Sequence, residues 1–381
     1  MEKGKQISTK QFIALEFLVS IAIKMFMLPA LILRTIGKDG YLVLVAYIIF
    51  EFVSLTFLLI VAKRNPDKTL FGILQDTCGK VVSRIIVGIM VLFLFVKSVI
   101  VTGEIKIFFN IIMYRDINWA VLILPLLALA GAFAVRPLRA MGRTAELIAP
   151  IVFLATLVLT ALLFGELQFD NLLPFLSEGI QPVAKGIITF PMWFCDVTVM
   201  TLFFGNVKIS KGFVVGTYVA KLVSSLLIMI FSVVLFSAYA NISTLIDYGN
   251  NVSNMTQLSL GSQEYGRFDL LFYCIWLLSV FIKFSALFTL IVRSIKFIVV
   301  KGSDHLYACI CALALYVVCV FVFNNEESVF LFATGIAKFF IFPVAYVLPL
   351  FLMVSAFIKY KSNYHDLPLK SDKGVIKCKN K

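Results

Sequence analysis

Charge is scarce in this chain. Asp, Glu, Lys and Arg make up only 14% of its 381 residues, where an ordinary soluble domain carries roughly a quarter. Hydrophobic residues make up 61% and the mean hydropathy is +0.99, so there is too little polar surface to cover an aqueous globule. Histidine is almost absent: His305 and His365 stand alone, neither with a partner at metal-ligand spacing. The seven cysteines form no C-x-x-C pair and mostly lie in apolar runs, where Cys acts as a small hydrophobe; neither a disulfide framework nor a metal site is expected. No phosphate-binding loop or nucleophile–base motif occurs, so no catalytic residue, cofactor or enzymatic activity is expected. The formal net charge of +13 raises the question of nucleic acid, but the basic residues fall in short clusters between apolar runs rather than on one stripe, and no nucleic-acid partner is expected.

What is present is a series of long apolar runs, and the expected fold is all-α: a polytopic membrane protein of about ten transmembrane helices. Spans are expected near 11–34, 41–62, 81–110, 119–135, 144–165, 183–205, 212–238, 269–292, 305–323 and 328–357, most close to the twenty residues that cross a bilayer. The first run carries Glu16 and Lys24 and no small-residue cleavage site, so it reads as a span rather than a signal peptide. Twenty-three Lys and Arg fall in one alternating set of loops and termini and six in the other, which places both termini in the cytoplasm. A transporter-like domain is expected over 1–360, with a basic cytoplasmic tail over 361–381 near anionic lipid.

Pro29 and Pro191 interrupt the first and sixth spans. A kink at the first helix of each five-helix half is the expected trace of an inverted repeat, about 11–165 and 183–357, whose discontinuous helices surround a midplane site. Five lysines lie inside spans: Lys24, Lys97, Lys221, Lys283 and Lys338, with Glu16, Glu51, Glu104 and Asp196 as the acids. A charge facing lipid at the bilayer centre costs at least ~2.5 kcal/mol, so these groups should face one another or a cavity. Glu16, Glu104 and Lys221 are near enough to span ends to snorkel. Lys24, Glu51, Lys97, Asp196 and Lys283 lie deep; a structural ion-pair role and a binding role weigh equally for each alone, and together they favour a site. The expected ligand-binding residues are Ile23, Lys24, Met25, Lys97, Phe190, Phe194, Asp196 and Lys283, with Glu51, Pro29 and Pro191 in structural or ion-pair roles.

Several motifs resemble the spore germination permease family, the GerAB-type B subunits of endospore germinant receptors. They are Ile7-Ser8-Thr9-Lys10-Gln11-Phe12, Leu28-Pro29, Arg143-Thr144-Ala145-Glu146 with Pro150, Asn171-Leu172-Leu173-Pro174 with Gly179, Pro182 and Gly186, and Phe281-Ile282-Lys283-Phe284-Ser285. Their order and spacing run from about residue 7 to 360. The resemblance implies the amino acid–polyamine–organocation superfamily fold, partner A and C subunits, residence in the spore inner membrane and sensing of a small nutrient, often an amino acid. The chain departs from the family in span one: members usually have small, glycine-rich residues where this chain has Ala22-Ile23-Lys24-Met25. Asp196 stands where a span-six glutamate is common. The alternative function is an active amino-acid permease driven by a proton or cation gradient.

Overall fold

The computed structural model describes residues 6–22, 24–25, 27–109, 118–164, 167–176, 179–239, 269–322 and 326–365. Within them the chain is helical, and the only β pairing is a parallel bridge between Ile7 and Val207. In order, the helices are α1 (Thr9–Ile21), α2 (Met27–Ile36), α3 (Gly40–Arg64), α4 (Leu70–Phe108), α5 (Trp119–Val135), α6 (Leu138–Leu163), α7 (Gln181–Thr189), α8 (Phe213–Tyr239), α9 (Asp269–Val299), α10 (Asp304–Val317), α11 (Glu326–Thr334), α12 (Ala337–Phe342) and α13 (Leu348–His365). Between α7 and α8 the chain winds as two 3₁₀ segments, Pro191–Phe194 and Asp196–Phe203.

Seven of these stretches are long and apolar enough to span a bilayer, and α7 with its 3₁₀ continuation passes the same test as a pair bent by 61°. A shorter apolar helix, α5, and the interrupted pair α1–α2 accompany them. An open β-sheet would leave edge groups unpaired in hydrocarbon, where every backbone group needs an internal partner, and a helix supplies its own. The molecule is a multi-pass membrane protein.

Packing centres on α1 and α9. Helix α1 contacts α6, α8 and α9, while α9 also lies against α4 and α5, and α3 leans on α8 and α13. The start of α1 is fixed by a capping box: Ser8 Oγ accepts from Gln11 N, and the Gln11 side chain accepts from Ser8 N. Gln11 Nε2 then donates to Glu146 on α6 at 3.0 Å, and Ile7 pairs with the strand-like turn after span six through Ile7 N to Asn206 O (2.7 Å) and Lys208 N to Ile7 O (2.9 Å). Two of the motifs quoted above therefore meet in space. The 171–186 motif does similar work at the opposite end: Asn171 Nδ2 donates to Ser237 O at 2.8 Å, and Lys38 Nζ to Leu173 O at 2.6 Å. Gly205 has φ +72°, and a Cβ there would sit 2.7 Å from the Lys68–Thr69 backbone, so only glycine lets span six end against that loop.

Three boundaries differ from the sequence reading. Helix α1 ends at Ile21 and α2 starts at Met27, so span one is interrupted before Pro29, which sits in the first turn of α2, where its missing N–H removes no helical hydrogen bond. The third span begins at Leu70 rather than 81, bent at Gly79, whose φ of +77° and ψ of 176° are outside the helical range. Residues 361–365, expected as tail, continue α13; residues 366–381 and the loop at 241–268 lie outside the described residues.

Candidate functional site

Span six breaks because Pro191 cannot donate to the α7 ladder, and the helix stops at Thr189. The chain then continues in tighter 3₁₀ turns through Asp196, at the point where α1 has also given up its helix. Lys24 and Met25 lie in the gap of span one; Ile23 lies outside the described residues.

The deep charges converge here. Lys24 Nζ donates to both Glu51 oxygens at 2.6 and 2.8 Å and lies 3.4 Å from Asp196 Oδ2. Asp196 also meets Lys97 Nζ at 2.7 Å and Lys283 Nζ at 2.8 Å, so one carboxylate from span six gathers cations from α4, α9 and the span-one gap. Glu51 on α3 is shared with Lys221 on α8 at 2.8 Å. Lys221 also donates to Ser20 Oγ at 3.1 Å, and Ser20 donates to Glu16 Oε1 at 3.1 Å. Lys97 reaches the backbone of the break as well, at Met192 O (3.3 Å), and meets Cys195 Sγ at 2.8 Å.

Glu16, Lys24, Glu51, Lys97, Asp196, Lys221 and Lys283 are each no more than 2% exposed. Snorkelling is therefore excluded for Glu16 and Lys221, and the expectation for them is corrected. Glu104 is corrected too: it is buried and accepts a hydrogen bond from Trp193 Nε1. Depth along a span is the wrong measure for these three. Lys338 stays apart on α12, half-buried, with its ammonium 5.5 Å from the Phe339 ring.

Aromatic residues wall the cluster. Phe194 stacks on Tyr47 with centroids 4.2 Å apart and planes at 3°, and the Lys24 ammonium lies 5.0 Å from the Phe194 centroid. Tyr47 donates its hydroxyl to Ile187 O in the last turn of α7, and Phe190 packs on Trp193 at 5.6 Å. Met25 faces the other way, lining a void of about 10 Å³ with Val152, Thr156 and Trp276. That is room for about one water molecule.

Four lysines and four acids thus gather beside the breaks in spans one and six. Every formal charge can be balanced by another from this chain. Such a cluster can exchange partners with an entering zwitterion, whose ammonium and carboxylate match one pair. Among the described residues no group of His, Cys, Asp and Glu is arranged to hold a metal ion.

Known proteins resemble the chain, one in sequence and two in fold. Spore germination protein XB of Bacillus anthracis is 22% identical over 306 residues, covering 76% of this chain and 81% of the relative. The fold matches Mhp1, a nucleobase-cation-symport-1 family transporter solved closed with bromovinylhydantoin bound (TM-score 0.65, 10% identity, 96% of this chain and 81% of that one). It also matches a mutant of the manganese transporter of Eremococcus coleocola (TM-score 0.55, 13% identity, 95% and 90%). At such identities these two likenesses speak for the fold alone. The family model described as spore germination protein matches residues 6–328, and the chain belongs to the spore germination permease family.

Proposed function

We propose that this chain is the nutrient-sensing B subunit of a germinant receptor in the spore inner membrane, acting with A and C subunits, both termini cytoplasmic. Membership in a spore germination family on a transporter fold establishes a membrane role in germination or transport. The choice of sensing rests on one observation: Asp196 is held by Lys24, Lys97 and Lys283 of the same chain. A carrier that cycles with a diffusible cation needs a place for that cation to enter and leave, whereas a tethered ammonium cannot leave. Lys24, in the gap of span one, does the work of a coupling ion without moving across the membrane.

The ligand class follows from the same groups. An amino acid brings one ammonium and one carboxylate, so it can insert between Lys24 and its acids without leaving a net charge in low dielectric. Phe190 and Phe194 offer apolar surface for its side chain, and Lys97 and Lys283 partners for its carboxylate. Insertion would loosen Lys24 from Glu51 or Asp196 and so shift spans one, two and six, the movement passed to the partners. In this reading α1–α2 and α5 complete ten spans in two inverted halves.

The test is to reconstitute the chain alone in vesicles and measure uptake of labelled L-amino acids, alongside germination of spores with and without the A and C subunits. Sensing predicts no saturable uptake by the chain alone, germination that needs the partners, and no change when sodium is replaced by potassium. Gradient-driven uptake by the isolated chain would make it a permease instead.

A further inference from the structure

A second, larger space lies at the end of the molecule where Ile7 pairs with Val207. It is a cavity of about 700 Å³ between the start of α4, the end of the 3₁₀ stretch of span six and the end of α9. Its volume is in the range of small-molecule pockets. Lys80, Arg84, Arg293 and Lys296 line it, with Asp304 as the one acid among its lining residues. Asp304 is already taken by Lys296 at 2.7 Å. Lys80, Arg84 and Arg293 make no ion pair among the described residues, so the lining carries an excess of positive charge that no acid of the cavity balances.

Two further features favour an anion. The cavity includes Thr69, Leu70 and Phe71, the N-cap and first turn of α4, where free backbone N–H groups and the helix dipole attract negative charge. Thr69 Oγ1 accepts from Gly72 N, and the N–H groups of Leu70 and Phe71, in the first turn, have no partner within the helical ladder. Asn206 and Gln75 add neutral hydrogen-bonding groups, and Phe71 stacked on Phe297 at 5.1 Å gives one apolar wall. Guanidinium forks beside a helix N-terminus are suited to phosphate oxygens, which accept two parallel N–H bonds.

We propose that this cavity binds a phosphate-bearing ligand from the inner face of the membrane, at a site separate from the central charge cluster. The proposal does not depend on the nutrient-sensing reading. The two sites share elements all the same: Thr201 and Leu202 line the cavity on the 3₁₀ segment that begins with Asp196. Leu290 and Arg293 line it on the helix that carries Lys283, with Leu290 about 10 Å along α9 from that lysine. A ligand drawing Arg84 and Arg293 together would act on α4 and α9, the two helices whose Lys97 and Lys283 both pair with Asp196.

The experiment uses the full chain purified in detergent, titrated with sodium pyrophosphate by calorimetry, with sodium chloride at matched ionic strength as control. A second arm places the chain in nanodiscs of zwitterionic lipid doped with phosphatidylglycerol and measures retained anionic lipid by mass spectrometry. Saturable pyrophosphate binding, at least tenfold weaker in Arg84→Gln/Arg293→Gln, identifies a soluble phosphate compound as the ligand. Phosphatidylglycerol retained by the parent and lost by the double variant, with no pyrophosphate binding, identifies a lipid headgroup. Asp304→Asn provides a test that does not weaken the site, since removing the one acid should tighten pyrophosphate or lipid about threefold. If neither probe binds beyond the chloride control, or both bind the double variant and Asp304→Asn as they bind the parent, the proposal is overturned.

Discussion

The central charge cluster and the ion pairs on the protein surface are built from the same side chains at the same distances. Lys296 meets Asp304 at 2.7 Å, and Lys97 meets Asp196 at 2.7 Å. The surface partners are 46% and 42% exposed, the central ones 2% and 0%. Distance therefore says nothing about consequence here; the surroundings decide. An exposed pair is worth ~0–1 kcal/mol because water and salt compete for both partners. In the centre, desolvation has already been suffered by every member, and removing one leaves its partners as uncompensated charges, at a cost of ~3–5 kcal/mol. The surface pairs tolerate loss, while each member of the centre depends on the others.

The largest effect is expected at Asp196, where three ammonium groups meet. Asp196→Ala should lower membrane abundance severely, and any protein that accumulates should lose several kcal/mol of stability, as read by a detergent melting curve. Parent-like abundance and melting would place the centre in the same class as the surface.

Next comes the coupling within the centre. Lys24→Met and Glu51→Gln should each destabilise, and the double variant should be less damaged than the sum, with an interaction energy of ~1–3 kcal/mol in a double-mutant cycle. Additive behaviour would break the picture of shared counterions. Recovery should be incomplete, because Glu51 also holds Lys221.

The smallest effect belongs to the periphery. Lys68→Ala, which removes the exposed partner of Asp76, should change stability by no more than ~1 kcal/mol, and the difference should fade as salt is raised. The same melting curves measured at low and high salt decide it.

The sequence carried much of this contrast. Lys24, Glu51, Lys97, Asp196 and Lys283 were legible as inward-facing because hydrocarbon leaves an ionised group few alternatives, and the structure joins all five. Pro191 marked a real break, since a missing N–H ends a helix wherever it occurs. Glu16, Glu104 and Lys221 were not legible in the same way. Glu16 sits about 10 Å into α1 and Lys221 about 12 Å into α8, distances from which a long side chain can reach an interface. What encloses them is neighbouring helices, with Ser20 joining Glu16 to Lys221 and Trp193 covering Glu104. Such neighbours are a property of tertiary packing, invisible to a scan along one chain. The basic cavity was also missed: its cations come from α4 and α9, far apart in the chain, and each looked like a topology signal.

The ammonium of Lys24, tethered in the gap of span one, is on this reading a working part of the sensor and not only a structural counterion. Germination of spores carrying Lys24→Ala, with membrane abundance checked by blot, tests that most directly. Variant protein that reaches the membrane at reduced abundance, yet answers amino acids far less than parent protein brought to the same abundance, is the predicted result; normal germination by that variant would contradict it.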